Sequence, residues 1–193
     1  QSMIERYTRP EMGALWTDEH KFQTWLAVEL AACEALAQAG QIPRRDWAAI
    51  RRKAAFDVKR IRTIEAEVRH DVIAFLTSVA ERVGPAARHI HKGLTSSDVV
   101  DTALSVNLVK AADLLIAGVG QVRAAAARQA AKHAFTPMIG RSHGIHAEPT
   151  TFGLKMALMY DEFGRALARL EAARETVRVG KLSGAVGTHA HLD

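Results

Sequence analysis

Apolar residues recur every three or four positions along most of the chain, which is the spacing of α-helices that bury one face. Alternating runs of β-branched residues are nearly absent, whereas Ala, Leu, Glu, Arg and Lys, all good helix formers, dominate. The pattern therefore predicts an all-α fold.

The first half of the chain shows three such periodic stretches. They predict helices over residues 18–39, 43–53 and 57–83. Thr17 or Asp18 can cap the first helix and Gly40 ends it, while Gly84-Pro85 stops the third. Residues 69–71, an Arg-His-Asp triplet, fall inside the third stretch and are expected to be helical.

The second half predicts two long helices. The first begins in the hydroxyl-rich stretch 95–98 and continues to about His133, a length of roughly 50 Å at 1.5 Å per residue. Gly118 and Gly120 lie within it, and we interpret them as positions of close packing against neighbouring helices. A Gly, His and Pro loop is expected over residues 137–149, followed by a second helix over about 151–179. Because these helices lack enough partners to bury their apolar faces, we expect either a truncated chain or copies of itself that cover them.

Composition narrows the class of protein. Charges interrupt the apolar groups, so we expect a soluble protein with no membrane partner. A single cysteine, Cys33, excludes an internal disulfide and a cysteine-based metal cluster, and it suits the reducing cytoplasm. The net charge of +5 would fit nucleic acid, but acids are interleaved with the bases and few aromatics lie among them. An anionic small substrate explains this charge as well.

Two polar clusters lie in the first half. Arg6 and Tyr7 stand in an N-terminal segment that we expect to be extended, where an arginine fork and an aromatic plate would suit a nucleotide. A basic solvated terminus would explain them equally. In Arg69-His70-Asp71, neighbouring residues on a helix point about 100° apart, so at least one is expected to face a cleft. A surface ion pair beside an exposed histidine is the plainer interpretation.

A third cluster precedes the first long helix. His91 and Lys92 are followed by Thr95 and Ser96, with a further serine next to them. Free backbone N–H groups at a helix start, together with hydroxyls and the positive end of the helix dipole, bind carboxylates or phosphates. Ordinary capping needs only one of these hydroxyls, so the set favours an anion site.

The fourth cluster is the loop between the two long helices, which carries Ser142 and His143 between glycines. Glycine lets a ligand approach the backbone, and histidine exchanges protons near neutral pH. His143, His146 and Glu148 could also be taken as metal ligands, but their spacing matches no standard zinc pattern, and we expect no metal. A tight turn alone would not need these polar residues together.

Taken together, these clusters resemble the bacterial adenylosuccinate lyases of the fumarase/aspartase superfamily. The resemblance covers essentially the whole chain, and the matching segments occur in order at similar spacing. They are Ile4–Tyr7, Arg69–Asp71, Gly93–Leu104, Gly140–Gly153 and Gly180–Thr188. The helix-start motif alone would indicate only the wider superfamily, but the combination is specific.

The resemblance implies a role for each cluster. Arg6 and Tyr7 would bind the nucleotide near its phosphate and ribose. The segment Arg69–Asp71 would line the nucleotide pocket, with His70 close to the chemistry. Thr95 and Ser96 would donate to the succinyl carboxylates, and His91 would be a further active-site histidine.

His143 matches the family's general acid, which protonates the departing nitrogen, and Ser142 stands where the family often has threonine. The family's base is a serine on a glycine-rich loop further along the chain, and no segment of that type is present in this sequence. The resemblance therefore implies that this chain by itself is inactive or nearly so. It also implies a homotetramer whose active sites are shared between chains, with no cofactor and no nucleic-acid partner.

The implied organisation has three parts. Residues 1–2 are interpreted as a tag remnant, residues 3–96 as a small N-terminal helical domain, and residues 97–193 as the first part of the central long-helix bundle. Two alternatives remain open: another lyase of the superfamily, such as argininosuccinate lyase, or a non-catalytic basic helical module. The arginines of the first two clusters argue against the former, since a substrate without a phosphate would not need them.

Overall fold

Helices dominate the computed structural model of the chain, which describes residues 4–190. The predicted all-α class is confirmed, with a single β-hairpin as the only sheet among the described residues. The helices are α1 Pro10–Ala14, α2 Asp18–Gln38, α3 Arg44–Lys53, α4 Val58–Val68, α5 Asp71–Val83, α6 Ser96–Lys132 and α7 Phe152–Val177, with 3₁₀ turns at Glu5–Tyr7 and Pro85–His89. The strands are β1 Pro137–Ser142 and β2 Ile145–Thr151.

The chain forms two compact units. Unit 1 comprises the residues up to Leu108 together with those from Arg178 onward, and unit 2 comprises Val109–Val177. The domain boundary that we predict after residue 96 stays a prediction, and the proposed tag remnant lies outside the described residues.

The core of unit 1 is built where α2, α4 and α5 bring their apolar faces together. Phe22 stacks on Phe75 with ring centroids 5.8 Å apart, and Trp25 meets both rings edge-on at 5.3 and 5.6 Å. These contacts bury each of the three side chains to at least 96%. Phe22, Leu26 and Cys33 recur at helical spacing on the buried face of α2, which explains why the sequence pattern located this helix to within one residue.

Unit 2 contains the hairpin and the greater part of two long helices. Gly153, at the start of α7, donates its N–H to the carbonyl of His133 at 2.8 Å and is buried there. Arg123 of α6 donates to the Tyr160 hydroxyl of α7 at 2.9 Å and lies over its ring. Further along, Arg174 pairs with Asp113 at 2.6 Å.

Three local expectations are wrong. The N-terminal cluster is not extended but forms a 3₁₀ turn, because the Tyr7 N–H bonds to the Ile4 carbonyl. The stretch 57–83 is two helices, since Arg69 adopts a left-handed conformation with φ 56° and ends α4. The expected loop over 137–149 is largely the hairpin, in which Ser142 pairs with Ile145.

The long helices keep apolar surface exposed, as expected. In unit 2, Leu115 of α6 is 50% exposed, and Leu154 and Leu158 of α7 are 64% and 65% exposed. By length and composition alone, α6 is the one described helix that could cross a membrane. Within the described chain, 17% of its most apolar window is buried. The close packing expected at Gly118 and Gly120 is not made within the described chain, because a Cβ at either would meet nothing within 4 Å.

Candidate functional site

The start of α6 leaves two hydroxyl groups available to a ligand. Asp98 caps the helix: its Oδ2 accepts from the Thr95 N–H at 2.9 Å, and its own N–H donates to the Thr95 carbonyl. No hydrogen bond among the described residues engages the Thr95 or Ser96 hydroxyl, and both residues are half-buried. The hydroxyls and the helix dipole therefore stay free to receive an anion.

A lysine from the far end of the sequence holds this helix start. Lys181 Nζ donates to Asp98 Oδ1 at 2.8 Å, to the Ser97 hydroxyl at 2.7 Å and to the Gly184 carbonyl at 3.1 Å. The backbone of Lys181 is itself fixed, because its N–H and carbonyl both bond to the Thr102 hydroxyl at 2.9 Å. The glycine-rich segment after α7 is thereby fastened to the first turns of α6, within unit 1.

Asp98 is 1% exposed and remains ionised in these surroundings. Burial acts to raise the pKa of its carboxyl, but hydrogen bonds from Lys181 and from the Ser183 and Thr95 N–H groups, with the charge of Lys181, outweigh it and lower the pKa to about 2. The ion pair between Asp98 and Lys181 is therefore a fixed, charged contact at the candidate anion site.

His91 lies just before this helix start and is held by a buried carboxylate. Its Nδ1 is 2.6 Å from Glu29 Oε1, and its N–H donates to Glu29 Oε2 at 3.0 Å. The backbone of His91 has φ 65°, in the left-handed region that residues other than glycine rarely adopt. The ring is 22% exposed, so it is oriented but still reachable.

The triplet Arg69–Asp71 forms the junction between α4 and α5. His70 caps α5, with Nδ1 accepting from the Ile73 N–H at 3.4 Å, and this places the ring proton of a neutral His70 on Nε2. The side chains of His70 and Asp71 are 41% and 51% exposed. The break between α4 and α5 thus exposes the polar side chains of His70 and Asp71. In a continuous helix these neighbours would point about 100° apart.

Arg6 and Tyr7 contact each other, with the guanidinium 4.9 Å from the ring centroid. Both are exposed, Tyr7 to 75%. No hydrogen bond or ion pair among the described residues joins this pair to the 69–71 junction or to the α6 start. All three clusters belong to unit 1.

Ser142 and His143 lie in unit 2, where His143 and Gly144 form the two-residue turn of the hairpin. Their φ angles are 54° and 77°, the positive values that a type I′ turn requires at both positions. Ser142 and His143 are exposed. The hairpin therefore presents the imidazole at its tip.

Residues other than glycine with a positive φ angle are concentrated at the candidate site residues. Four described residues other than glycine have a positive φ, and three of them are Arg69, His91 and His143, each predicted as a site residue from the sequence. Such conformations are unfavourable by about 1 kcal/mol or more and concentrate at functional positions.

A model of the lyase family matches residues 5–193. The chain belongs to this family of lyases. It is 56% identical over 191 residues to an adenylosuccinate lyase of Synechocystis sp. and 52% identical over 191 residues to that of Bacillus subtilis, covering 99% of this chain in both cases. The resemblance found in the motifs is thus confirmed, although this lyase chain spans only 44% of the length of either relative.

Solved structures agree with this assignment. A fumarate lyase from Mesorhizobium sp. BNC1 superposes with a TM-score of 0.91 at 32% identity, covering 98% of this chain and 46% of that one. A 3-carboxy-cis,cis-muconate lactonizing enzyme from Pseudomonas putida gives 0.87 at 32% identity, over 96% of this chain and 44% of that one. The fold of the lyase chain is therefore that of these two solved relatives, which are named as a fumarate lyase and a lactonizing enzyme.

Sequence reasoning missed two charged residues in the site of this lyase chain. Glu29 lies on the buried face of α2, between Leu26 and Cys33, and a carboxylate at such a position is the signal that could have revealed it. Lys181 stands in the matched Gly-Lys-Leu-Ser-Gly stretch, but nothing in its spacing indicates Asp98 as its partner. Among the described residues, no three His, Cys, Asp or Glu side chains are grouped to hold a metal.

Proposed function

We propose that this chain is the N-terminal portion of an adenylosuccinate lyase. The complete enzyme would eliminate fumarate from adenylosuccinate to give AMP, and from SAICAR to give AICAR, in purine biosynthesis. The observation that carries the proposal is the identity of 52–56% over 191 residues to adenylosuccinate lyases. The free Thr95 and Ser96 hydroxyls and the exposed turn histidine His143 support it independently.

In the proposed reaction, a base removes a proton from the carbon next to a succinyl carboxylate. The electron pair left on that carbon is delocalised into the carboxylate, which Thr95, Ser96 and the start of α6 would stabilise. As the C–N bond breaks, His143 donates its proton to the departing nitrogen, and fumarate and the amine are released. Ser142 would bind the substrate beside His143.

The remaining candidates would bind the nucleotide. Arg6 supplies a guanidinium for phosphate oxygens, and Tyr7 an exposed ring for the ribose end. Arg69, His70 and Asp71 would line the nucleotide pocket, with the Nε2 proton of His70 directed to a substrate acceptor. His91 would approach the succinyl end, since it precedes the α6 start by only a few residues.

The assembly and location are part of the same proposal. The base would be a serine on a glycine-rich loop, a segment that the present sequence does not contain, so the 193-residue chain alone would be inactive or nearly so. Exposed leucines on α6 and α7 support an assembly in which copies of these helices pack together. The assembly we propose is a homotetramer with active sites shared between chains, located in the cytoplasm. No cofactor, nucleic acid or membrane is needed for this function.

The test is an absorbance assay for loss of adenylosuccinate, run on this chain and on the complete gene product. Turnover is expected only for the latter. His143→Asn, which tolerates the positive φ of the turn, and His143→Gln should abolish fumarate release while substrate still binds. His146→Gln, in the same hairpin, is the matched control and should stay near wild type.

Three results would contradict the proposal at different levels. Wild-type turnover in the His143 variants would exclude His143 as the acid. A complete protein that leaves adenylosuccinate and SAICAR intact but cleaves argininosuccinate would establish the alternative lyase. Salt-sensitive binding of DNA or RNA without turnover would indicate a basic binding module instead.

A further inference from the structure

Glu29 is a carboxylate inside the core of unit 1 for which the proposed reaction has no use. It lies on α2 between Trp25 and Cys33, which are 4% and 1% exposed, and is itself 0% exposed. Removing a carboxylate from water is costly unless it is paired and hydrogen-bonded. Its position therefore requires a partner that uses both oxygens.

That partner is one residue, His91. Oε2 accepts from the His91 backbone N–H at 3.0 Å, and Oε1 lies 2.6 Å from its Nδ1. An ionised carboxylate only accepts hydrogen bonds, so Nδ1 must carry the proton in this contact. The neutral ring then has its lone pair on Nε2, the nitrogen that Glu29 does not occupy.

The contact also holds the backbone of His91. Its φ of 65° is unfavourable for a residue with a side chain, and the bond from the His91 N–H to Oε2 fixes the peptide that begins this bend. One carboxylate therefore sets the tautomer, the ring plane and the local backbone of a residue four positions before Thr95.

We propose that Glu29 is a positioning residue for the lyase reaction, which holds His91 as the Nδ1–H tautomer and leaves Nε2 to meet the succinyl end of the substrate. The inference rests on the proposed function, because it assigns a second role around the same site. Glu29 does not touch substrate and acts only through His91.

Unit 1 contains a matched control for this pair. Asp46 Oδ2 lies 3.0 Å from His89 Nε2, and both side chains are largely buried, at 13% and 15% exposed. Asp46 also bonds Arg88, and none of these three residues belongs to the candidate site. Asp46→Asn thus removes the charge from a comparable buried carboxylate–histidine contact without touching His91.

The first experiment uses the complete enzyme. Glu29→Gln keeps the volume of the side chain but removes its charge, and kcat should fall about 10- to 100-fold with KM changed less than about two-fold. Asp46→Asn should leave both constants near wild type. In a His91→Gln background the Glu29→Gln change should have little further effect, because the two residues act as a unit.

A purely structural Glu29 would give a different pattern. An unchanged kcat, or losses that add fully in the double variant, would overturn the proposal. If Glu29→Gln fails to fold, His91→Asn decides instead: its amide can still donate to Glu29, so the protein should fold but lose turnover. Wild-type turnover in His91→Asn would equally overturn the inference.

A second measurement does not depend on activity. Acylation of imidazole by diethyl pyrocarbonate needs an unprotonated ring nitrogen, and trypsin cleavage after Arg88 and Lys92 leaves His89 and His91 in one peptide. The acylation rate of His91 relative to His89 should drop several-fold in Glu29→Gln. Absence of lyase turnover would refute the proposed function, whereas an unchanged acylation ratio would refute the role of Glu29.

Discussion

The Nζ of Lys181 lies 2.8 Å from Oδ1 of Asp98, a residue 83 positions earlier in the chain. This ion pair joins the glycine-rich segment after α7 to the helix start that carries Thr95 and Ser96. Because Asp98 also receives the Thr95 N–H, the geometry of the candidate anion site depends on a lysine outside it. Stability and site geometry are therefore coupled at this point.

Removing the lysine should be strongly destabilising. In Lys181→Met, Asp98 would remain buried without its counter-charge, and we expect a loss of about 3 kcal/mol in the free energy of unfolding. Urea unfolding followed by circular dichroism measures this, with exposed Lys110→Met as a control that should change stability by less than about 0.5 kcal/mol. Equal urea midpoints for the two variants would contradict the stabilising role of the Asp98–Lys181 ion pair.

The same pair predicts a pH dependence of stability. The native pKa of Asp98, about 2, lies below the ordinary value of 3.8, so the folded state binds this proton less readily than the unfolded state. The contribution is fully present above about pH 5 and is lost as the pH falls from 3.8 towards 2, a change on the order of 2 kcal/mol. In Asp98→Asn, the free energy of unfolding should fall less steeply over this range. An identical slope in both proteins would refute the assignment.

Local features of the fold were largely readable from the sequence. Apolar periodicity and end signals predicted a helix over 18–39, and α2 runs over Asp18–Gln38. The break after α4 was missed because Ile64, Val68 and Val72 continue the i, i+4 spacing straight through it. A left-handed arginine is the least expected way to end a helix, since Gly or Asn normally takes that position.

The hairpin was missed for a related reason. Its turn is His143-Gly144, whereas Asn-Gly or Asp-Gly is the usual signal for two positive φ angles. The strands are short, no residue in either is fully buried, and β2 contains Pro149, so neither gives the strong signal of a half-buried strand. Site contacts were beyond reach for another reason: Glu29 and His91 are 62 positions apart, and one sequence carries no record of which distant residues pair.

The two glycines of α7, Gly153 and Gly164, should differ sharply in how much their replacement by alanine changes stability. A Cβ at Gly153 would lie 2.6 Å from the His133 carbonyl oxygen and from the Ala134 Cα, both backbone atoms. Gly153→Ala should therefore lower stability by about 1–3 kcal/mol. At Gly164 the nearest atoms, at 3.4 Å and beyond, belong to the flexible Arg123 side chain, so Gly164→Ala should be neutral or stabilising by up to about 1 kcal/mol. Thermal unfolding of the two variants compares them directly, and similar losses in both would contradict the close approach at Gly153.

The single thiol provides a probe of the unit 1 core. Cys33 is 1% exposed, and burial, with a smaller effect from the Glu29 carboxylate, raises the pKa of its thiol to about 12. At pH 8 only about one molecule in 10⁴ would carry the reactive thiolate, so Ellman's reagent should not label the native chain. Full labelling is expected in urea, at a midpoint matching the loss of helix.

The matched control moves the thiol to the outer face of the same helix. Ala27 is exposed on α2, so Ala27→Cys in a Cys33→Ala background should react within minutes in the native state. Slow labelling of native Cys33 with fast labelling of the control would place the inner face of α2 in the core. Rapid native labelling of Cys33 would instead mean that α2 opens readily, and the orientation that Glu29 imposes on His91 would then not persist.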